Sequence, residues 1–203
     1  MKFSLRLATL VLAAMVWTAC GSDNVQQKNQ TDANKGGESK QASSETIPAD
    51  FLLRTVNAYQ VVIPKYLSDV QDLNAVASLQ CKNAEKEFYL IVIDEPKEKE
   101  KGDKKSLTAF YDMMIKGLIG ENIVSATQPI TQKSNNVEKM QWEAVAQIEN
   151  VRVQYYMAAF ESETHFYQLV IWMYEDDKDA FVKDVQTIIQ SFKEKDTKKN
   201  LVK

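Results

Sequence analysis

The sequence predicts an α+β domain, a mainly antiparallel sheet with amphipathic helices packed on it. Three observations predict it. Short apolar segments alternate with polar positions between residues 59 and 93 and again between 123 and 174. The turns within each run are too short for the crossover a parallel pair needs. Two longer stretches, near 107–119 and 178–192, repeat their apolar residues with the helical period instead.

Taken in order, Tyr59-Gln-Val-Val-Ile63 reads as a strand stopped by Pro64, and residues 65–74 as a polar loop. Ala75 to Cys81 alternates and reads as a second strand, with Ala77, Leu79 and Cys81 on its apolar side. Lys82 to Glu85 turns the chain. Glu87 to Ile93 is apolar on both faces after its first residue, the pattern of a central strand covered on both sides. Asp94 to Lys105 mixes Lys and Glu around Pro96 and Gly102; it reads as a solvated loop, with a docking loop for a charged partner as the alternative.

Ser106 is placed as an N-cap. Leu107, Phe110, Tyr111, Met114, Ile115 and Leu118 then share one helical face, and Gly120 ends the helix. From Ile123 the period becomes two. Residues 123–131 form a strand that Pro129 confines to an edge or a bulge. Ser134-Asn-Asn136 turns it, and Trp142, Ala144, Ala146 and Ile148 alternate with polar residues as a half-buried strand. Strands follow at Val151–Phe160 and Thr164–Tyr174, with turns at Glu149-Asn150 and Glu161–Glu163. Asp176 or Asp177 caps a last helix bearing Phe181, Val185, Ile188, Ile189 and Phe192 on one face, and Lys193–Lys203 reads as a charged tail. The expected order is three strands, a helix, four strands and a helix, in one sheet of up to seven strands with a helix on each face.

The N-terminus speaks to location. Lys2 and Arg6 precede an apolar run from Leu7 to Trp17, followed by Thr18-Ala19-Cys20. A basic start, a short apolar core and small residues at a cleavage point describe a secretory signal peptide. The run is shorter than the roughly 20 apolar residues a membrane span needs. A Cys at that point resembles the bacterial lipobox, although Trp17 stands where an aliphatic residue is usual. Residues 1–19 are therefore expected to be a lipoprotein signal peptide, with Cys20 lipidated. The alternative is an ordinary secretory signal with an incidental cysteine. Residues 20–46 are polar and read as a flexible tether, 47–195 as one domain and 196–203 as a frayed end. A coil of that length reaches about 28 Å on average. Gly21 after Cys20 favours the outer membrane over retention at the inner one.

Composition removes several functions. The net charge of −3, with no basic stripe, argues against nucleic acid. Gly occurs after residue 50 only at 102, 117 and 120, so no phosphate-cradling loop is present, and no cofactor motif is found. One His and one domain Cys are too few for a zinc site. Cys81 reads as a small buried hydrophobe. Asp176, Asp177 and Asp179 resemble a calcium cluster but are better explained as acids at a helix N-terminus. His165, with Glu161 and Glu163 across a turn, could form a His–carboxylate base; the competing reading is a turn His held by local hydrogen bonds.

The element order and three stretches, Tyr59–Pro64, Leu73–Gln80 and Glu87–Asp94, with a closing Ile-Ile-Gln-Ser-Phe-Lys193, resemble the Mog1/PsbP-like superfamily, including the DcrB-like envelope lipoproteins, over residues 50–195. The resemblance implies a central antiparallel sheet between helices, an α/β/α sandwich. It implies no catalytic residue, because these folds serve as accessory or binding modules. Photosystem relatives bind a membrane complex and the Mog1 branch binds a small GTPase, but no motif carries either partner over. The expectation is a non-catalytic protein, held to the membrane by lipid on Cys20, that binds or helps assemble a protein complex. The alternative is a carrier for a small apolar ligand, in a pocket between helix 107–119 and the sheet lined from Met113, Met114, Met140, Met157, Met173, Trp142 and Trp172.

Overall fold

A computed structural model describes residues 47–97, 106–118, 120–134 and 137–195. Cys20, the tether, most of the Lys/Glu run and the last eight residues lie outside that set.

Eleven strands and two α-helices are described: β1 (Phe51–Val56), β2 (Tyr59–Pro64), β3 (Ser68–Asp69), β4 (Leu79–Asn83), β5 (Phe88–Pro96), α1 (Leu107–Leu118), β6 (Ile123–Ala126), β7 (Ile130–Ser134), β8 (Val137–Ile148), β9 (Val151–Glu161), β10 (His165–Tyr174), α2 (Lys178–Ser191) and β11 (Lys193–Glu194). Every described pairing is antiparallel. The strands form two sheets rather than one. The large sheet runs β3-β4-β5-β10-β9-β8-β6, with β7 also on β8, and the small one runs β1-β2-β11.

The large sheet is covered on both faces, as expected. Side chains of a strand alternate between faces, so β5 sends Phe88, Leu90 and Val92 to one core and Tyr89, Ile91 and Ile93 to the other. On the first face, β9 and β10 add Tyr156, Ala158, Phe160, Tyr167, Leu169, Ile171 and Met173. These pack under Val185, Ile188 and Ile189 of α2, Phe192 just beyond it, and Tyr59, Val61 and Ile63 of the small sheet. On the second face, Met140, Trp142, Tyr155, Met157, Val170 and Trp172 share a core with Leu107 and Met114 of α1. Burying one side chain of this size contributes about 1.5–3 kcal/mol.

Several elements end where their residues predict. Ser106 Oγ accepts the Ala109 amide at 3.1 Å and caps α1. Gly120, at φ +55°, takes the left-handed conformation that ends the helix. Asn57 and Glu149 adopt positive φ in the two-residue turns β1–β2 and β8–β9.

Others differ. Residues 75–78 are not strand. Asn74 Oδ1 accepts the amides of Val76 and Ala77, and Gln80 binds the amides of Leu73 and Asn74 and the Asn74 carbonyl, so a side-chain-knotted loop delays β4 to Leu79. The single strand expected at 123–131 is broken around Pro129 into β6 and β7, both outer neighbours of β8. Asp177 stands at the N-cap of α2 without a side-chain capping bond. Lys193 and Glu194, read as the first residues of a charged stretch, pair with Gln60 and Tyr59 of β2, inside the expected 47–195 domain.

Candidate functional site

Two clusters of chemistry-bearing side chains stand out, one on each face of the large sheet. The first sits where β10 begins, beside β11. The tight turn Glu161–Thr164 is held by Ser162, whose Oγ accepts the amides of Thr164 (3.2 Å) and His165 (3.0 Å). The pairing of β11 with β2 brings Glu194 over this turn. Its Oε1 accepts from Ser162 Oγ at 2.6 Å, Thr164 Oγ1 at 2.8 Å and Tyr167 OH at 2.9 Å. Thr164 Oγ1 also lies 2.8 Å from His165 Nδ1. The one hydroxyl proton of Thr164 goes to the carboxylate, so Thr164 accepts from His165 Nδ1–H. The His165 ring stacks on Tyr167 at 5.6 Å, and its Nδ1 is 3.8 Å from Glu194.

This arrangement joins the two sheets. The Ser162 hydroxyl is spent on the carboxylate and is buried, and burial beside Glu194 pushes Tyr167 ionisation far upward. Three hydroxyl protons thus converge on one carboxylate oxygen, which ties the turn and β10 to β11. Glu161, one of the two acids expected beside His165, binds Lys97 at 2.7 Å. A carboxylate that approaches His165 is that of Glu194, in the stretch the sequence predicts as a charged tail. The signal was present: Phe192 enters the core, Lys193 faces out and Glu194 turns in again, a period of two after the helix ends.

A second latch holds the other side of the small sheet. Arg54 Nη2 of β1 binds both carboxylate oxygens of Asp69 on β3 at 2.8 Å. Asp69 Oδ1 in turn lies 3.4 Å from Cys81 Sγ. Cys81 is fully buried on the α2 face, as its strand position predicts, and burial pushes its thiol up to about 12. Ser191 Oγ takes the Val62 amide at 2.9 Å, pinning the end of α2 to β2.

The second cluster lies on the α1 face. Tyr89, Trp172 and Tyr155 stand in register across β5, β10 and β9. Their rings stack, with centroids 5.3 and 6.5 Å apart. One strand further, Trp142 lies opposite Met157 and meets the Tyr111 ring of α1 edge-on at 4.4 Å. The Nε1 atoms of Trp142 and Trp172 are buried and have no acceptor. Of the residues expected to line a pocket, Met114, Met140, Met157, Trp142 and Trp172 are buried in this core. Met173 belongs to the opposite one, and Met113 is exposed.

Asp176, Asp177 and Asp179 are exposed at the start of α2. Among the described residues no three His, Cys, Asp or Glu side chains converge as metal ligands do. No helix among them is long and apolar enough to cross a membrane.

No protein-family model and no curated protein matches the chain. Solved structures do. The chain is similar to cyanobacterial PsbP (CyanoP) from Synechocystis sp. PCC 6803 at 12% identity and a TM-score of 0.50, over 77% of this chain and 99% of that one. It is also similar to LpqN of Mycobacterium tuberculosis, a protein involved in cell envelope biogenesis, at 11% identity and a TM-score of 0.46, over 73% of this chain and 80% of that one. The fold is thus of the PsbP/Mog1-like α+β class. At such identities the likeness speaks for the fold and for nothing beyond it.

Proposed function

We propose that this chain is a bacterial envelope lipoprotein whose domain acts as a non-catalytic interaction or assembly module for a membrane-associated protein complex. Residues 1–19 are removed, Cys20 carries the lipid, and residues 20–46 let the domain range over the membrane surface, the outer membrane being favoured by Gly21. One conjunction supports this reading: a lipobox-like Cys20 and polar tether precede a PsbP-like domain whose one His–carboxylate cluster joins its two sheets. Three acyl chains on one cysteine would hold such a protein firmly, since each buried CH₂ contributes about 0.8 kcal/mol.

Cross-linking of the lipidated protein in its own envelope, read by mass spectrometry, tests the proposal. A stoichiometric protein partner is expected, weakened in a Cys20→Ser form. Equal capture by both forms would remove the anchor from the function, and a wild-type chain without a protein partner would remove the module.

A further inference from the structure

We infer that the α1 face of the large sheet is a binding site for an acyl-chain lipid whose ester carbonyl accepts a hydrogen bond from the indole N–H of Trp172. This goes beyond a protein-interaction module, and it stands or falls on different residues.

The first observation is the pair of indole N–H groups, both buried and both lacking an acceptor. A buried donor without a partner is costly and calls for an explanation. Trp142 also faces the Tyr111 ring edge-on, which leaves Trp172 as the more exposed debt of the two. The second observation is their surroundings. Trp142 and Trp172 flank β9 on the same face, with Met157 opposite one and Tyr155 opposite the other. Water is a poor occupant for such a place, because an ordered buried water needs two to four polar partners. A single N–H among apolar side chains suits a molecule that is apolar for most of its length and carries one acceptor.

The described cover is held by apolar contacts. On the opposite face, α2 and the small sheet are pinned by carboxylate latches. Here the described contacts of α1 are apolar: Leu107 and Met114 are buried and Tyr111 and Ile115 half-buried against the sheet. Methionines from three elements, Met114, Met140 and Met157, meet in this core. Unbranched thioether side chains repack around an irregular guest more readily than branched ones.

The probe is 1-oleoylglycerol, added to the purified full-length lipidated chain. Lipid retained through gel filtration is extracted, which leaves the chains on Cys20 in place, and is measured by mass spectrometry. The wild-type chain is expected to retain it stoichiometrically. Trp172→Phe should weaken retention about tenfold, the value of one lost hydrogen bond to a group otherwise unpaired. Trp142→Phe should weaken it less. Since Phe also leaves space, β-(3-benzothienyl)alanine at position 172, which exchanges the N–H for sulfur in the same shape, should reproduce the loss in a chain that melts like wild type. No retention by the wild-type chain, or equal retention by the benzothienyl form, would overturn the assignment. Neither result would bear on capture of a protein partner.

Discussion

The two faces of the large sheet are closed by different means. The α2 face has a 14-residue helix and a three-stranded sheet over it. Its aromatic centre is tight, with Phe192 stacked on Phe160 at 4.1 Å and on Tyr59 at 5.2 Å. Arg54–Asp69 and the Glu194 knot fasten it at two places. The α1 face has one 12-residue helix, a core rich in methionine and two unpaired indole N–H groups. The difference teaches how one sheet can divide its labour. Branched and aromatic packing with carboxylate latches fixes a single arrangement, although Arg54 Nε is itself buried without an acceptor, whereas thioethers leave an arrangement open to change.

The comparison can be broken at the α2 face first, where the largest effect is expected. Phe160→Ala removes a fully buried ring and should cost about 3–5 kcal/mol in urea unfolding. Glu194→Ala should cost about 2–3 kcal/mol, because it strands the buried hydroxyls of Ser162 and Tyr167; Glu194→Gln, which keeps an acceptor, should cost clearly less. Equal losses for the two would mean that the knot is not held by acceptance at this position. Ser106→Ala, at the start of α1, should cost about 1 kcal/mol. Asp69→Asn should cost under about 1 kcal/mol, since the Arg54 pair is partly exposed.

Alkaline titration sharpens the same contrast. Burial raises the Cys81 thiol from 9.0 to about 12. Below 9.0 the thiol is protonated in both states and its contribution is complete. Above that value the unfolded chain ionises and the folded chain does not, so stability falls with rising pH until the folded thiol ionises too. Buried tyrosines such as Tyr59 and Tyr155 are raised in the same way and sustain part of the alkaline loss, so Cys81→Ala should lessen the fall between pH 9 and 12 in denaturant titrations without abolishing it. In the native protein at pH 8 a thiol reagent should leave Cys81 untouched, and it should react on unfolding.

Much of this fold was legible because long strands with a covered face declare themselves. β5 and β10 are apolar on both sides and lie in the middle of the large sheet. What stayed hidden was short or two-sided. β1 leaves Leu53 exposed at the edge of a small sheet, so it shows no clean alternation. β3 and β11 are two residues each, too short for any period. The apolar run of β2 reveals that the strand is buried but not which sheet takes it. The site followed the same rule. Cys81 was readable from its own strand, whereas the approach of Glu194 to the Thr164–His165 turn depended on β11 returning to β2 across the whole domain.

The most direct test of the two-face account is native-state hydrogen exchange on the full-length chain, read by peptide. The account predicts that amides of α1, residues 107–118, exchange through openings far smaller than global unfolding, while those of α2, residues 178–191, and β2 exchange only when the whole domain unfolds. Equal protection of the two helices would contradict it, and stronger protection of α1 would reverse it.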